Sequence, residues 1–318
     1  MQVFNESSEG RTAASLPAIP PILETILLRL ESATPAYGQK LRVRLRAMDG
    51  HYLESAARYF SRYDCALRAG GKSIHFAIDC YLKLSGDMTD ERTNFMRTGK
   101  YANSSYKEVE QRVYGNPMIM EYHMHGLALA QYLWPDQYER IEFFRKNLPA
   151  LSVSSLNYLE VGGGHGLYAL TALELLPERA RIDLLDISAS SIQLAQQTIG
   201  QSRIDYILKD IFEFEPQHLY DFITAGEILE HLEDPAAFLT KLSSLLAATG
   251  TIYLTTPVNA PMIDHIYLFN NVQEIRNLIA SAGFKILLER IVPSRDLPEH
   301  LLVQHKLPIM YASFLGRA

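Results

Sequence analysis

Cysteine is nearly missing. Cys65 and Cys80 are the only two in 318 residues. They form neither a C-x-x-C pair nor a metal-ligand spacing, which excludes a disulfide scaffold and a cysteine-bound zinc module and leaves reduced thiols as the expectation. No apolar run approaches the roughly 20 residues that span a bilayer. Residues 1–21 carry Glu6, Glu9 and Arg11 without an apolar stretch, so they read as a mobile tail and not as a secretory signal. Basic charge is not in excess either: 30 Lys+Arg against 36 Asp+Glu leave a formal charge of −6, so no global field draws in a nucleic-acid backbone. There is no internal repeat and no low-complexity segment. The remaining composition, 47% hydrophobic and 21% charged, fits a globular protein of the cytoplasm. Its expected ligand is a small molecule, with no nucleic acid and no membrane as partner; a homodimer is compatible with it.

What is present concentrates near the middle of the chain. Leu156, Tyr158, Leu159 and Val161 make a short apolar strand. Gly162, Gly164 and Gly166 follow at G-x-G-x-G spacing, where the backbone turns tightly and a ligand approaches without a Cβ in the way. A helix starting near Gly166 carries Leu167, Leu170 and Leu173 and stops before Pro177; Ile182, Leu184 and Leu185 then form a second buried strand ending in Asp186. A carboxylate there, about 20 residues past the last glycine, is placed to accept both hydroxyls of a ribose. Two details separate the nucleoside cofactors. The third glycine falls one residue earlier than in the dinucleotide pattern, and Glu160 puts a negative charge just before the turn, which repels a pyrophosphate and suits the ammonium of an amino-acid moiety. Both favour S-adenosylmethionine over NAD.

With these residues in place the chain resembles the class I S-adenosylmethionine-dependent methyltransferases, Glu160-Val161-Gly162-Gly163-Gly164-His165-Gly166 matching their first motif. The resemblance implies that Asp186, with Ile187 beside it, holds the ribose, and that Lys209-Asp210-Ile211-Phe212 is the turn after the third strand, with Asp210 on the adenine amino group. It further implies that Phe222 to Glu227 and Leu229 to Pro235 are the fourth strand and its loop, and that Gly250 to Pro257 is the fifth strand. Five ordered landmarks over about a hundred residues are more specific than one glycine loop. The likeness covers 150–318, and the first 150 residues are only loosely similar to the lid regions of such enzymes. The implied fold is α/β: a Rossmann-like, seven-stranded, doubly wound sheet binding the cofactor at 150–318, preceded by an N-terminal helical cap or lid and substrate domain at 22–149.

The residues support this frame by themselves. Asp234 is a helix N-cap with Pro235 at the first helical position, Phe238, Leu242, Leu245 and Leu246 share a face, and Gly250 falls where a left-handed cap is expected. Asn271 and Glu274 give a capping-box start to a helix closed by Gly283. Alternating strands and helices imply a parallel sheet covered on both faces, whose ligands bind outside the carboxyl ends of the strands, where Glu160, Asp186, Asp210, Glu227 and Thr256 fall.

Residues 22–147 read as helices: Ile22 to Leu30, then one or two over Gly38 to Leu67, a break at Gly70-Gly71, and a resumption at Ile74. A stretch dense in aromatics follows, from Phe95 to Phe144. Helix packing is its ordinary reading. The sharper one is that Tyr101, Tyr106 and Tyr114 lie over the cofactor as a lid, since tyrosine faces attract a desolvated sulfonium.

His123 and His125, two apart on a helix, point to nearly opposite sides, so no shared metal ion is expected. His231 follows the fourth strand near the expected methyl position and is a candidate base or a surface cap; Asp264-His265, after the fifth strand, is an acid–base dyad, a substrate anchor or a loop staple. Tyr114 is counted with these three among the catalytic candidates. Glu227 and Glu230 read as contacts to the cofactor's periphery or a substrate amine, or as exposed helix-end charge. Methyl transfer asks the protein to align nucleophile, methyl carbon and sulfur, exclude water and remove a proton, for which His231 or His265 is the base. The leading expectation is O- or N-methylation of a small metabolite. A second reading keeps the cofactor and changes the reaction: its own amine attacks its γ-carbon, giving azetidine-2-carboxylate and methylthioadenosine. A third, from another class, is a non-catalytic cofactor-binding or scaffold protein, against which stand the intact Glu160, Gly164 and Asp186.

Overall fold

The computed structural model describes residues 18–152, 157–200, 203–295 and 297–318. Leu156 of the expected first strand and most of the expected tail, residues 1–17, lie outside the described residues. The chain divides into two compact units, Met1–Asp64 and Cys65–Ala318. In the first, α1 (Pro21–Ala33) and α2 (Pro35–Ala47) each begin on a proline, whose missing N–H costs nothing in the first turn. Gly38 lets them cross closely, since a Cβ there would meet the Glu31 backbone at 2.6 Å. Leu23, Leu27, Leu30, Leu41 and Leu45 are buried, and Arg42 bridges Glu24 (2.7 Å) and Glu31 (2.6 Å). Helix α3 (Gly50–Ala69) runs on past this unit's end.

The second unit opens with α4 (Ile74–Thr98), stopped by Gly99 in a left-handed cap. Next come the short α5 (Tyr106–Val109) with a π-helical turn at Glu110–Tyr114, then α6 (Pro117–Leu133) and α7 (Pro135–Leu151). Asn116 caps α6, accepting from Met118 N at 3.1 Å. The remaining elements alternate: β1 (Asn157–Val161), α8 (Leu167–Leu175), β2 (Arg181–Asp186), α9 (Ala189–Ile199), β3 (Ile204–Leu208), β4 (Tyr220–Gly226), α10 (Pro235–Leu245), β5 (Leu246–Val258), α11 (Val272–Ser281), β6 (Phe284–Pro293), α12 (Glu299–Gln304) and β7 (Ile309–Arg317). They build one seven-stranded sheet of order β3-β2-β1-β4-β5-β7-β6. Its central strands are buried on both faces, and Leu159, Ile223, Leu254, Phe238, Leu242 and Ile275 lie in one apolar core.

Two expectations are corrected. The sheet is not wholly parallel: β7 runs antiparallel to both β5 and β6. The chain leaves β6 at Pro293 and re-enters at Ile309 directly opposite it, and Ser294 N donates to Pro308 O at 3.0 Å, so the return starts at the edge where β6 stopped instead of crossing the sheet. Gly250 is not a helix cap. Helix α10 ends in an extended Leu246, and Gly250 lies inside β5 where the pairing with β4 shifts register; a Cβ there would meet the Leu246 side chain at 2.7 Å and Tyr220 O at 3.1 Å. Close strand approach, not backbone handedness, asks for glycine at that place.

Candidate functional site

The strand order reverses between β1 and β4, the switch point at which open α/β sheets bind ligands. There the turn 162–166 has Gly162, Gly164 and Gly166 at φ 66, 48 and 74°. The handedness decides most at Gly164: an added Cβ would find Met124 Cε at 3.6 Å and Gly162 O at 3.8 Å, ordinary contacts, so neighbouring atoms leave room and the left-handed backbone sets the demand. Gly163 differs, because a Cβ there would run into Leu184. Asp186, at the end of β2, accepts from Gly164 N (3.0 Å) and Ser188 N (2.7 Å) and so pins the turn. Burial raises its carboxyl, opposed by these N–H donors. Glu160, 3% exposed, accepts from Ala169 N in the first turn of α8. Burial pushes its carboxyl up to about 8 against that hydrogen bond, with the charge of Asp186 adding to the rise. Ile187 is 55% exposed above β2; Asp210 caps the turn after β3, accepting from Phe212 N at 2.9 Å, and Ile211 is buried. His165 packs locally, its Nδ1 accepting from Leu167 N.

A second polar group occupies the carboxyl ends of β4 and β5. Glu227 holds a left-handed φ of 54°, its N–H donating to Thr255 O (3.0 Å) and its Oε1 accepting from Thr255 Oγ1 (2.8 Å) and from the fully buried Arg140 of α7. Such strain in a non-glycine residue persists where surroundings over-determine it. Glu230 is fully buried and accepts from Thr256 Oγ1 at 2.8 Å, while its carbonyl accepts from Ile266 N and Tyr267 N and ties down the loop after β5. Burial, then the neighbouring Glu227, drives its carboxyl well above the usual range. His231 Nδ1 lies 3.1 Å from Asp264 O, 3.6 Å from Asp264 Oδ2 and 3.3 Å from Tyr114 Oη. Asp264 Oδ2 also meets His123 Nε2 of α6 at 3.2 Å. Burial opposes ionisation of Asp264, yet His123 and His231 hold it well below the ordinary carboxylate range. The His265 ring stands edge-on to His231 at 4.9 Å, and burial lowers it to about 3, leaving a neutral imidazole.

Thus His231, Asp264, His265 and Tyr114 come together, and Glu160, the three glycines and Asp186 form a separate cluster beside them. Helix α6 reaches both, His123 at Asp264 and Met124 over Gly164. Tyr101 is packed inside, its Oη accepting from Ala260 N at 3.2 Å and its ring 5.6 Å from His265. Tyr106 is 41% exposed and leans on Tyr114 at 6.0 Å. Glu230 is no exposed helix end. Arg140 and Asn103, which donates to Ile263 O at 2.8 Å, escaped the sequence reading, and His123 was weighed there only against His125. His125 rests its ring on Phe76, away from His123.

Residues 132–289 match the methyltransferase domain family. The chain is 32% identical over 106 residues to malonyl-acyl-carrier-protein O-methyltransferase 1 of Ilyobacter polytropus, covering 33% of this chain and 39% of that protein. It is 32% identical over 116 residues to the ubiquinone biosynthesis O-methyltransferase of Rhodopseudomonas palustris, covering 36% and 45%. It therefore spans less than half the length of these relatives. The plantazolicin methyltransferase BpumL, solved in complex with SAH, shares the fold at 14% identity and a TM-score of 0.50, over 73% of this chain and 99% of that one. Residues 132–289 thus carry a methyltransferase domain, and these relatives support an S-adenosylmethionine-dependent methyltransferase of the kind the sequence resembles. Among the described residues no helix is long and apolar enough to cross a membrane.

Proposed function

We propose that this protein binds S-adenosylmethionine at the turn 160–166 with Asp186 and Asp210 and transfers its methyl group to oxygen or nitrogen of a small metabolite. The observation that carries the reading is the pair of buried carboxylates, Glu160 and Asp186, ending adjacent strands on either side of a left-handed glycine turn. An anion at each place suits the two polar ends of the cofactor, Glu160 its ammonium and Asp186 its ribose hydroxyls. Ile187, exposed beside Asp186, offers apolar surface to the adenine. The cluster around His231 receives the acceptor, because it lies at the same end of the sheet as the glycine turn and carries neutral and anionic groups able to take a proton. The helices and aromatic segment at 22–149 act as cap and substrate domain, with Tyr106 and Tyr114 as its lid tyrosines.

Isothermal titration of wild type and Asp186→Ala with S-adenosylmethionine tests this. Removing a charged acceptor of two hydroxyl donors costs about 2–4 kcal/mol. Equal affinity in the variant, or preferential binding of NADH by wild type, defeats the assignment.

A further inference from the structure

We propose that Glu230, His231 and His265 hold a divalent cation whose open coordination positions take the acceptor's oxygen. This rests on the methyl-transfer reading above for the identity of the ligand, though not for the binding of the ion. One carboxylate oxygen of Glu230 and one ring nitrogen of each histidine lie within 4.8 Å of one another. Ligands of one zinc-sized ion at bonds of roughly 2.1 Å stand about 3.4 Å apart in tetrahedral geometry, so side-chain adjustments on the order of 1 Å complete the site.

The polar atoms of the cluster are left wanting in the way a metal site requires. Glu230 is fully buried, and among the described residues its Oε1 has no hydrogen-bond partner; His265 is 6% exposed, and its Nδ1 has none among them either. A buried carboxylate oxygen facing no donor is costly, and a cation answers it. The supporting contacts fit as well. His231 Nδ1 is taken by Asp264 O and Tyr114 Oη, leaving Nε2 for the ion, and a hydrogen bond to the Ala260 backbone holds the His265 ring with Nδ1 open. Ligating imidazoles are oriented through their other nitrogen in this manner, by carboxylates or carbonyls. Glu230 Oε2 is fixed by Thr256 Oγ1, and Asp264 is itself held by His123.

Two imidazoles and one carboxylate select a borderline ion such as Zn²⁺, Co²⁺ or Fe²⁺ over Mg²⁺, and three protein ligands leave room for a substrate atom. Bound there, the ion would polarise the acceptor hydroxyl and ease loss of its proton to solvent before the site closes. The oxygen lone pair forms the bond to the methyl carbon as the carbon–sulfur bond breaks, and S-adenosylhomocysteine leaves with the electron pair on sulfur.

The test uses full-length protein stripped with chelator and titrated with Co²⁺, read by visible absorption and calorimetry, for wild type, Glu230→Gln and His265→Gln. Expected is one ion per chain, with nitrogen and oxygen ligand-field bands, and affinity at least tenfold weaker in each variant. Wild type that takes up no stoichiometric Co²⁺, or variants that bind it as wild type does, overturn the site. Should a variant unfold by circular dichroism, the wild-type stoichiometry and spectrum still decide. S-adenosylmethionine binding measured on the same stripped sample separates the two readings: its loss defeats the cofactor assignment, and its retention without Co²⁺ binding defeats only the metal.

Discussion

His123 Nε2 lies 3.2 Å from Asp264 Oδ2, with both side chains almost wholly out of water, so a histidine of α6 and an aspartate of the loop after β5 are paired in the interior. A charge in such a pair is expensive to strand. Replacing His123 with alanine removes the nearer of the two histidine contacts to Asp264 Oδ2, 3.2 Å against 3.6 Å for His231, and breaking a buried pair costs about 3–5 kcal/mol. His123→Gln, which still offers an N–H, recovers part of the loss. Denaturant unfolding of the three proteins at neutral pH measures it, and an alanine variant within about 1 kcal/mol of wild type would show the pair to be incidental. The pair also sets an acid limit. The carboxyl of Asp264 is held below its ordinary value, so its stabilisation is present above the unfolded pKa of about 3.9 and is lost as pH falls below it.

Gly164→Ala separates folding from cofactor binding. Its φ of 48° strains an L residue by roughly 1–2 kcal/mol, yet the new Cβ makes only ordinary contacts, Met124 Cε at 3.6 Å and Gly162 O at 3.8 Å, so the protein folds. In the proposed binding mode the new methyl group stands where the cofactor passes over the turn. Expected is a fall of S-adenosylmethionine affinity of at least about 30-fold, roughly 2 kcal/mol, with only a modest drop in melting temperature. Undiminished affinity would move the ligand away from this turn.

Glu160 predicts a pH profile. Its carboxyl, pushed up to about 8 by burial, is protonated in the free protein at neutral pH, whereas the α-ammonium of the cofactor keeps its proton up to about 7.7–8.0. Pairing them expels the proton from Glu160, so affinity climbs by up to about tenfold per unit as pH rises toward 8 and turns down once the free ammonium deprotonates. Calorimetry in buffers of different ionisation enthalpy reads the released proton directly. Glu160→Gln flattens the rising limb; a wild-type profile already flat means Glu160 is ionised without ligand. For the free protein the same shift acts against folding, since the native state binds more protons, and stability declines between about pH 4.5 and 8.

How much of this was legible in the sequence follows from which interactions are local. The glycine turn, Asp186, the Asp234 and Asn271 caps and the β–α alternation are written within a few residues of one another, and each landed on the element expected. The reversed β7 depends on where a connection closes, and the place of Gly250 on how β5 packs against β4; neither leaves a periodic trace. The cluster at the acceptor end is assembled by α6, the loop after β4 and the loop after β5, far apart in sequence. His231, Asp264 and His265 could be suspected from their position after strands. His123 showed only its i,i+2 relation to His125, which argues against a shared ion and is silent about Asp264. Nothing in the sequence near Arg140 marks Glu227 as its partner.

The reaction itself is decided by what the protein does with S-adenosylmethionine alone. In-line transfer needs a nucleophile at the methyl carbon, and a closed site that excludes water supplies none until the acceptor arrives, so incubation without acceptor leaves the cofactor intact. Adding a hydroxyl- or amine-bearing acceptor yields S-adenosylhomocysteine, and His231→Ala slows that turnover about a hundredfold, the scale of a lost proton-transfer or orienting group. Mass analysis of the adenosyl product distinguishes the outcomes. Catalytic release of methylthioadenosine with a four-membered cyclic amino acid, from protein and cofactor only, means that the γ-carbon and not the methyl is attacked. In that event the cofactor's own amine is the nucleophile, and Glu160 would have to release it from its ammonium pairing before attack, so Glu160→Gln would speed cyclisation instead of weakening it. A methyltransferase shows the opposite sign, because loss of that anchor loosens the sulfonium the acceptor must meet in line.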